Sequence, residues 1–341
     1  MEHTERVVLP ELYCPFSPAI SEHADAIHTS TVEWAQRFDL TPGWKASKLF
    51  DATGIGYLVA RTHPDAALDE LRLISDWYAW LFLQDDMRDE SETGKRPDEL
   101  SSIDDRFLDI LEGAELGILD EPLTCALHDL RERLGERLRV NVLSDVWMRR
   151  FVRTVRGHLE ATLWEATNRR RLIVPELDSY VRMRPMTGGL SIVTELVEIV
   201  EGVHLPAEVR EHRTVVRLTE ASHNVVCWAN DILSLAKELR TGEVNNLIVV
   251  LRGEYGLTLQ QAIDLAAEMH DAEVIDFVHA STLIPSFGAE VDGALDRYVA
   301  ALRARMRGVL DWAYESGRYG ATSSRTFTIS ANDLTTAHRS R

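Results

Sequence analysis

Residues 64–90 read PDAALDELRLISDWYAWLFLQDDMRDE. Leu68, Leu71, Ile74, Trp77, Tyr78, Leu81 and Phe82 recur at three- and four-residue intervals, the spacing of one helix face and not the two-residue alternation of a strand. The stretch predicts a long helix with Pro64 in its first turn, where a missing N–H is tolerated. Its apolar face runs directly into Asp85, Asp86, Asp89 and Glu90. Asp85 and Asp89 stand at i and i+4, so they project side by side about one turn apart. Carboxylates at a helix C-terminus oppose the backbone dipole, and this concentration is unfavourable unless cations are present. Carboxylate oxygens are hard ligands that suit magnesium. A solvated acidic helix end is the plainer alternative.

Outward from this stretch the same period dominates. Helices are predicted at about Ser21–Phe38, Phe107–Leu116, Leu123–Leu134, Asn141–Arg171, Pro206–Leu239, Leu257–His279 and Phe287–Glu315. Arg169, Arg170 and Arg171 end their helix as its dipole favours. The segment Pro175–Val200 carries Arg184-Pro185-Met186-Thr187-Gly188-Gly189, and a proline followed by two glycines predicts a break mid-helix. The fold class is therefore all-α. One domain over residues 1–321 is expected, with 322–341 a polar, frayed tail.

Composition narrows the function. The chain has 341 residues, 45% of them hydrophobic, enough for a large core. A net charge of −18 argues against nucleic acid as a partner. Cys14, Cys125 and Cys227 are widely spaced and odd in number, so neither a disulfide framework nor a thiolate zinc site is expected. No signal peptide and no membrane span are read in the sequence, and the cytoplasm is the expected compartment.

A second constellation changes the weight of the first. In Asn230-Asp231-Ile232-Leu233-Ser234-Leu235-Ala236-Lys237-Glu238, the residues Asn230, Ser234 and Glu238 fall at i, i+4 and i+8. They form one polar stripe on an otherwise apolar helix. Amide, hydroxyl and carboxylate oxygens in line make a three-point cradle for a magnesium ion, and the neighbouring Lys237 can reach a phosphate. Asn and Ser are mildly unfavourable inside helices, which speaks against incidental polarity.

Together these residues resemble the class I terpene synthases, specifically the single-domain bacterial cyclases. Asp85-Asp86-x-x-Asp89-Glu90 is similar to the family's aspartate-rich motif, and Asn230-Asp231-x-x-Ser234-x-x-Lys237-Glu238 to its second metal motif. The family places a diphosphate-sensing arginine 46 positions before the Asn, where Arg184 stands, and an Arg-Tyr pair about 80 after the Glu, where Arg318-Tyr319 stands. The resemblance covers roughly residues 10–320. Two positions depart from it. Thr187 stands where many relatives carry an acid before the glycine, and Leu81 where an aromatic is common.

The resemblance implies an antiparallel helix bundle around a central apolar cavity, and cyclisation of a prenyl diphosphate with loss of diphosphate. Farnesyl diphosphate is the expected substrate, with C20 geranylgeranyl diphosphate and a C10 chain left open. Three magnesium ions are implied. Asp85, with Asp89 or Glu90 directly or through water, would hold two of them, and Asn230, Ser234 and Glu238 the third. Arg184, Lys237, Arg318 and Tyr319 would donate to the diphosphate, and a break at Thr187-Gly188 would turn a backbone carbonyl towards the pocket. Phe82 and Trp312 would face the carbocation, although plain core packing also accounts for them. A homodimer is left open. A chain-elongating prenyl diphosphate synthase shares the fold but carries two aspartate-rich motifs. His128-Asp129 and His270-Asp271 suggest a metal phosphohydrolase, but the further spaced ligands are missing. A non-catalytic scaffold would have no need of the Arg184 and Arg318-Tyr319 spacings.

Overall fold

The computed structural model describes residues 4–90, 96–140, 145–319 and 326–330. The helices in chain order are α1 (Ala24–Arg37), α2 (Gly43–Thr53), α3 (Ile55–Thr62), α4 (Leu68–Glu90), α5 (Pro97–Glu112), α6 (Pro122–Val140), α7 (Asp145–Arg171), α8 (Leu177–Thr187), α9 (Leu190–Val200), α10 (Ala207–Arg210), α11 (Arg213–Thr241), α12 (Leu247–Tyr255), α13 (Leu259–Ser281) and α14 (Ala289–Glu315). A 3₁₀ turn, Gly317–Tyr319, follows α14. The all-α expectation holds.

The long α11 is the central element. It packs on α8, α12, α13 and α14, while α4 packs on α1, α3, α6 and α9. The apolar stripe of α4 buries Leu71, Ile74, Trp77, Tyr78 and Leu81. The helix starts at Leu68 and not at Pro64. His63 N–H donates to the Val59 carbonyl to close α3, and Leu71 N–H to the Ala67 carbonyl opens α4, leaving Pro64 in the turn between them. Pro206 likewise opens only the short α10; the separate α11 is capped by His212, whose side chain accepts from Thr214 N–H. The helices α2, α3 and α12 are not foreseen by the periodicity. Each is short, and α3 begins right after Gly54 at φ +68° and includes Gly56.

The expected break falls between α8 and α9. Pro185 lies inside α8, and the chain turns at Gly188-Gly189, with Gly189 at φ +69°. Glycine takes that left-handed conformation without strain, so the two glycines make the turn and the proline only weakens the helix before it.

Two glycines set how closely helices approach. A Cβ on Gly56 would lie 2.2 Å from the backbone Cα of His28 in α1, and one on Gly308 would lie 2.7 Å from the Arg61 carbonyl in α3. The α3 backbone is thus wedged between α1 and α14.

The reading of 322–341 as a frayed polar tail is corrected at residues 326–330. There β2 (Thr326–Ser330) pairs antiparallel with β1 (Thr4–Val8), Thr4 opposite Ser330 and Val8 opposite Thr326. Thr-Phe-Thr-Ile-Ser alternates with period two, and Phe327 packs against the core beside fully buried Val7. Overall polarity hid this short strand signal. The rest of that segment lies outside the described residues.

Candidate active site

The C-terminal ends of α4 and α11 and the turn after α14 open on one cavity. Its deeper wall is apolar: Leu58, Leu81, Leu190, Val193, Val226 and Val309 line it, with Phe82 and Trp312. Its mouth is polar, lined by Asp85, Arg184, Asn230, Ser234, Lys237, Glu238 and Arg318, with Glu165 and Arg169 from α7. The residues of both motifs and both arginine positions therefore meet in space. Asp89, Glu90 and Tyr319 belong by their backbone to the last turn of α4 and to the 3₁₀ turn, and their side chains lie outside the described residues.

Arg318 spans the mouth. Its Nη2 lies 3.0 Å from Asp86 Oδ1 and 3.9 Å from Asp85 Oδ2, and its guanidinium stacks 4.7 Å above the Phe82 ring. Phe82 in turn meets Trp312 edge-to-face at 5.9 Å and 81°. The Trp312 indole N–H donates to the carbonyls of Thr53, at 2.9 Å, and Gly54, at 3.2 Å, fixing its ring against the α2–α3 junction.

On the facing side, Arg184 donates through Nε to Asp231 Oδ1 at 2.9 Å and through Nη2 to Asn230 Oδ1 at 2.8 Å. Asp231 is fully buried and is also held by the Tyr180 hydroxyl and by Leu247 N–H. Ser234 Oγ donates to the Asn230 carbonyl at 2.7 Å, and Glu238 Oε2 accepts from Asn246 Nδ2 at 2.8 Å. Gly188 makes room for this arrangement: a Cβ there would stand 3.0 Å from Arg184 Nη1 and 3.3 Å from Cys227 Sγ.

The helix break is tied to α4 by a chain of polar contacts. Arg88 Nε donates to Gln84 Oε1 at 2.6 Å, Gln84 Nε2 stands 3.1 Å from His158 Nε2, and His158 Nδ1 lies 2.7 Å from the Met186 carbonyl. A carbonyl only accepts, so Nδ1 carries the proton and Nε2 accepts from the Gln84 amide. Burial lowers the His158 pKa to about 4, so the ring is neutral. Thr187 sits in the same turn, its hydroxyl donating to the Arg184 carbonyl at 3.3 Å.

Comparison with known proteins bears on this geometry. A family model described as terpene synthase family 2, C-terminal metal binding, matches residues 76–276, more than half of the chain. The chain belongs to the class I terpene synthases of bacterial type. It is 38% identical to the (+)-T-muurolol synthase, (2E,6E)-farnesyl diphosphate cyclizing, of Roseiflexus castenholzii, over 91% of this chain and 94% of that one. It is 33% identical to the germacrene A synthase of Nostoc punctiforme, over 92% and 96%. The crystal structure of germacradien-4-ol synthase from Streptomyces citricolor superposes with a TM-score of 0.78 at 22% identity, covering 89% of this chain and 98% of that one, and so shares the fold.

The electrostatics of the synthase's mouth suit the metal-binding character of that family. Burial pushes the Asp85 carboxyl up, and neighbouring Asp86 adds to it. Burial also lifts Glu238 to about 7, with Asp231 and Glu243 reinforcing the shift. Neighbouring carboxylates with raised pKa values mark an excess of acid oxygen that a divalent cation relieves. Carboxylate, amide and hydroxyl oxygens are also the donors a hard cation takes, so the residues present fit such an ion. For Arg184 burial works against the charge, but Asp231 together with the other groups around it outweighs burial and holds the guanidinium above its ordinary range. Cys227, pushed up to about 12 by burial, is a neutral thiol donating to the Arg184 carbonyl at 3.6 Å.

Several of the synthase's site residues escape a reading by motif. Asp231 was legible only as the letter after Asn230; that it faces away from the cavity and anchors Arg184 follows from its 100° rotation on the helix. Tyr180, at i−4 from Arg184, shares that anchor. Arg169 lines the cavity with its Nε 2.6 Å from Glu243 Oε2, a pairing across 74 residues without a local signal. The two His-Asp pairs have structural partners. Asp129 binds Trp34 Nε1, Arg37 and Arg133, and Asp271 binds Tyr13 N–H and His270. The three cysteines are free, Cys227 buried and Cys14 and Cys125 half-buried.

Proposed function

We propose that this terpene synthase takes farnesyl diphosphate, binds its diphosphate at the polar mouth of the cavity with three magnesium ions, and cyclises the farnesyl cation in the apolar part below. The observation that carries this reading is the separation of the cavity into a charged mouth, where Asp85, Arg184, Asn230, Glu238 and Arg318 converge, and an apolar depth walled by Phe82 and Trp312.

Asp85, with Asp89 or Glu90, would hold two of the ions, and Asn230, Ser234 and Glu238 the third. Bound magnesium supplies positive charge that stabilises the departing diphosphate. Arg184, Lys237, Arg318 and Tyr319 donate hydrogen bonds to the diphosphate oxygens, which lowers the barrier to C–O cleavage because the donors are already oriented. Asp231 and Tyr180 keep Arg184 aimed at the mouth. Phe82 and Trp312 present π-faces to the cation, and the apolar wall keeps bulk water from it. The turn at Thr187-Gly188, held by His158, sets backbone dipoles at the middle of the cavity. Three free thiols suit the reducing cytoplasm.

The test is incubation with C10, C15 and C20 prenyl diphosphates plus magnesium, with and without isopentenyl diphosphate as the C5 unit that elongation requires, then gas chromatography–mass spectrometry and a diphosphate assay. Cyclic C15 products, abolished by EDTA and restored by magnesium, are expected. Turnover in EDTA, or a longer linear diphosphate as the product, would overturn the reading; the latter outcome would make the enzyme a chain-elongating synthase.

A further inference from the structure

The otherwise apolar depth of the cavity carries a charged side chain at its closed end. Arg305, on α14, lines the cavity and is only 1% exposed. It stands seven residues before Trp312, which places it about 10 Å deeper at ~1.5 Å per residue. Its Nη1 donates to Thr194 Oγ1 at 2.8 Å, and Thr194 Oγ1 is 2.7 Å from Nε2 of His223. Its Nε and Nη2 have no hydrogen-bond partner among the described residues, and neither does fully buried Ser222 Oγ. On α11, Ser222 and His223 lie seven to eight residues below Asn230, the depth at which α14 carries Arg305. The partner of this buried guanidinium is a hydroxyl and not a carboxylate.

A buried guanidinium with unmade N–H bonds is strongly unfavourable. Polar recesses of this kind hold water, each molecule making about three hydrogen bonds, whereas purely apolar cavities stay dry. We propose that Arg305 holds water at the closed end of the cavity and that this water ends the reaction, so that the main product is a terpene alcohol. The inference rests on the cyclase reading above and specifies its final step.

The chemistry follows from what Arg305 can do. A guanidinium only donates, so a water bound to it accepts with one lone pair and keeps the other for the cavity. Like charge keeps the carbocation from seating against Arg305 itself, which leaves water as the nearer contact. The free lone pair forms a C–O bond to the cationic carbon, and one O–H bond of the resulting oxonium breaks. Its proton passes to Thr194 Oγ1 as that hydroxyl's own proton moves to His223 Nε2, 2.7 Å away, so the imidazole takes up the charge. Burial, and then the Arg305 charge, lower that pKa to about 3, so the ring is neutral beforehand, and an oxonium ion is acid enough to protonate it.

The experiment is turnover of the full-length enzyme in H2¹⁸O, reading diphosphate release and, by mass spectrometry, the ratio of labelled alcohol to hydrocarbon. Wild type should give mainly alcohol carrying ¹⁸O. Arg305→Met should lower the alcohol-to-hydrocarbon ratio at least about tenfold, since it removes the water's donors. The ratio is read within each variant, so a slower rate does not affect it. Thr194→Val, nearly isosteric, removes the anchor of Arg305 and should shift the ratio in the same direction; it decides the matter if Arg305→Met does not fold. Normal diphosphate release with a hydrocarbon product from wild type overturns the inference and leaves the cyclase reading standing, as does an unchanged ratio in the folded variants. No diphosphate release from any prenyl chain overturns both.

Discussion

Arg184 Nη2 donates to Asn230 Oδ1 at 2.8 Å, so the diphosphate donor and a metal ligand of the proposed site share one oxygen atom. An amide oxygen has two lone pairs. An oxygen that accepts from Arg184 can therefore also face a cation, so the two parts of the site are built to be oriented together. Nε of the same guanidinium is held by Asp231 at 2.9 Å.

That fork predicts the cost of Arg184→Lys. An ammonium is a compact charge and cannot span Asp231, Asn230 and a diphosphate oxygen at once. The variant should lose about a hundredfold in kcat, because the donors it removes act on the leaving group. Arg182→Lys is the control: Arg182 is exposed, and its recorded hydrogen bond is a long one, 3.4 Å, to Ser179 Oγ. Steady-state kinetics decides. A crippled Arg182→Lys beside a normal Arg184→Lys would refute this placement.

Glu238 predicts a pH dependence. Its carboxyl is raised from 4.5 to about 7, by burial first and by Asp231 and Glu243 after that, against the hydrogen bond from Asn246. The folded chain therefore holds that proton more tightly than the unfolded chain. The resulting stability is complete below pH 4.5 and is lost as the pH rises through 7. Asp76 and Glu198, also lifted to about 7 by burial, add to the same slope. In EDTA, Tm should fall from pH 6 to pH 8 in wild type, and fall less in Glu238→Gln, with Asp76 and Glu198 common to both. Parallel curves for the two proteins would show that Glu238 titrates normally.

The parts of this fold that were legible in the sequence are those with long, uninterrupted periodicity. Helix α4 and helix α11 carry their apolar faces and their acid stripes in the same register, so the motif residues and the helices that position them could be read together. The break at Gly188-Gly189 was equally legible, because two adjacent glycines leave little else for the backbone to do. What stayed hidden depends on contacts between distant segments. The seat of Arg184 on Asp231, the Arg169–Glu243 pair and the Gln84–His158–Met186 chain each join elements with no shared local pattern. Short elements were missed for another reason. The apolar runs of α3 and α12 are too brief for a period to emerge, and Thr326–Ser330 has two apolar residues in a polar context.

Gly308 predicts a loss of stability without a loss of chemistry. A Cβ there would lie 2.7 Å from the Arg61 carbonyl and 2.9 Å from Thr62 N, both backbone atoms that cannot swing aside. Gly308→Ala must push α14 away from α3, at a cost of roughly 1–3 kcal/mol. Gly135, with nothing within 4 Å of its would-be Cβ, is the control, and alanine there should hold or raise Tm. Equal Tm changes for the two substitutions would mean that the α3–α14 approach is looser than the structure has it.

The Phe82–Trp312 pair predicts a change in what is made more than in whether the substrate ionises. The rings meet edge-to-face at 5.9 Å in the cavity wall, below the mouth. Neither ring can ligate a metal, so diphosphate release should persist in Phe82→Leu and in Trp312→Leu at a reduced rate. Each substitution removes a π-face worth about 1 kcal/mol to a nearby cationic carbon, enough to shift a ratio of competing products about fivefold. Early-quenched, acyclic and monocyclic products should rise. The two variants should still differ. Phe82 also supports the Arg318 guanidinium at 4.7 Å, so Phe82→Leu should lower kcat more than Trp312→Leu does. Trp312 is tied to the Thr53 and Gly54 carbonyls, so its loss leaves two buried acceptors at the α2–α3 junction and should lower Tm more. Product profile, phosphate release and thermal denaturation of each variant test all three statements. An unchanged product spectrum with only a lower Tm would make both aromatics core packing.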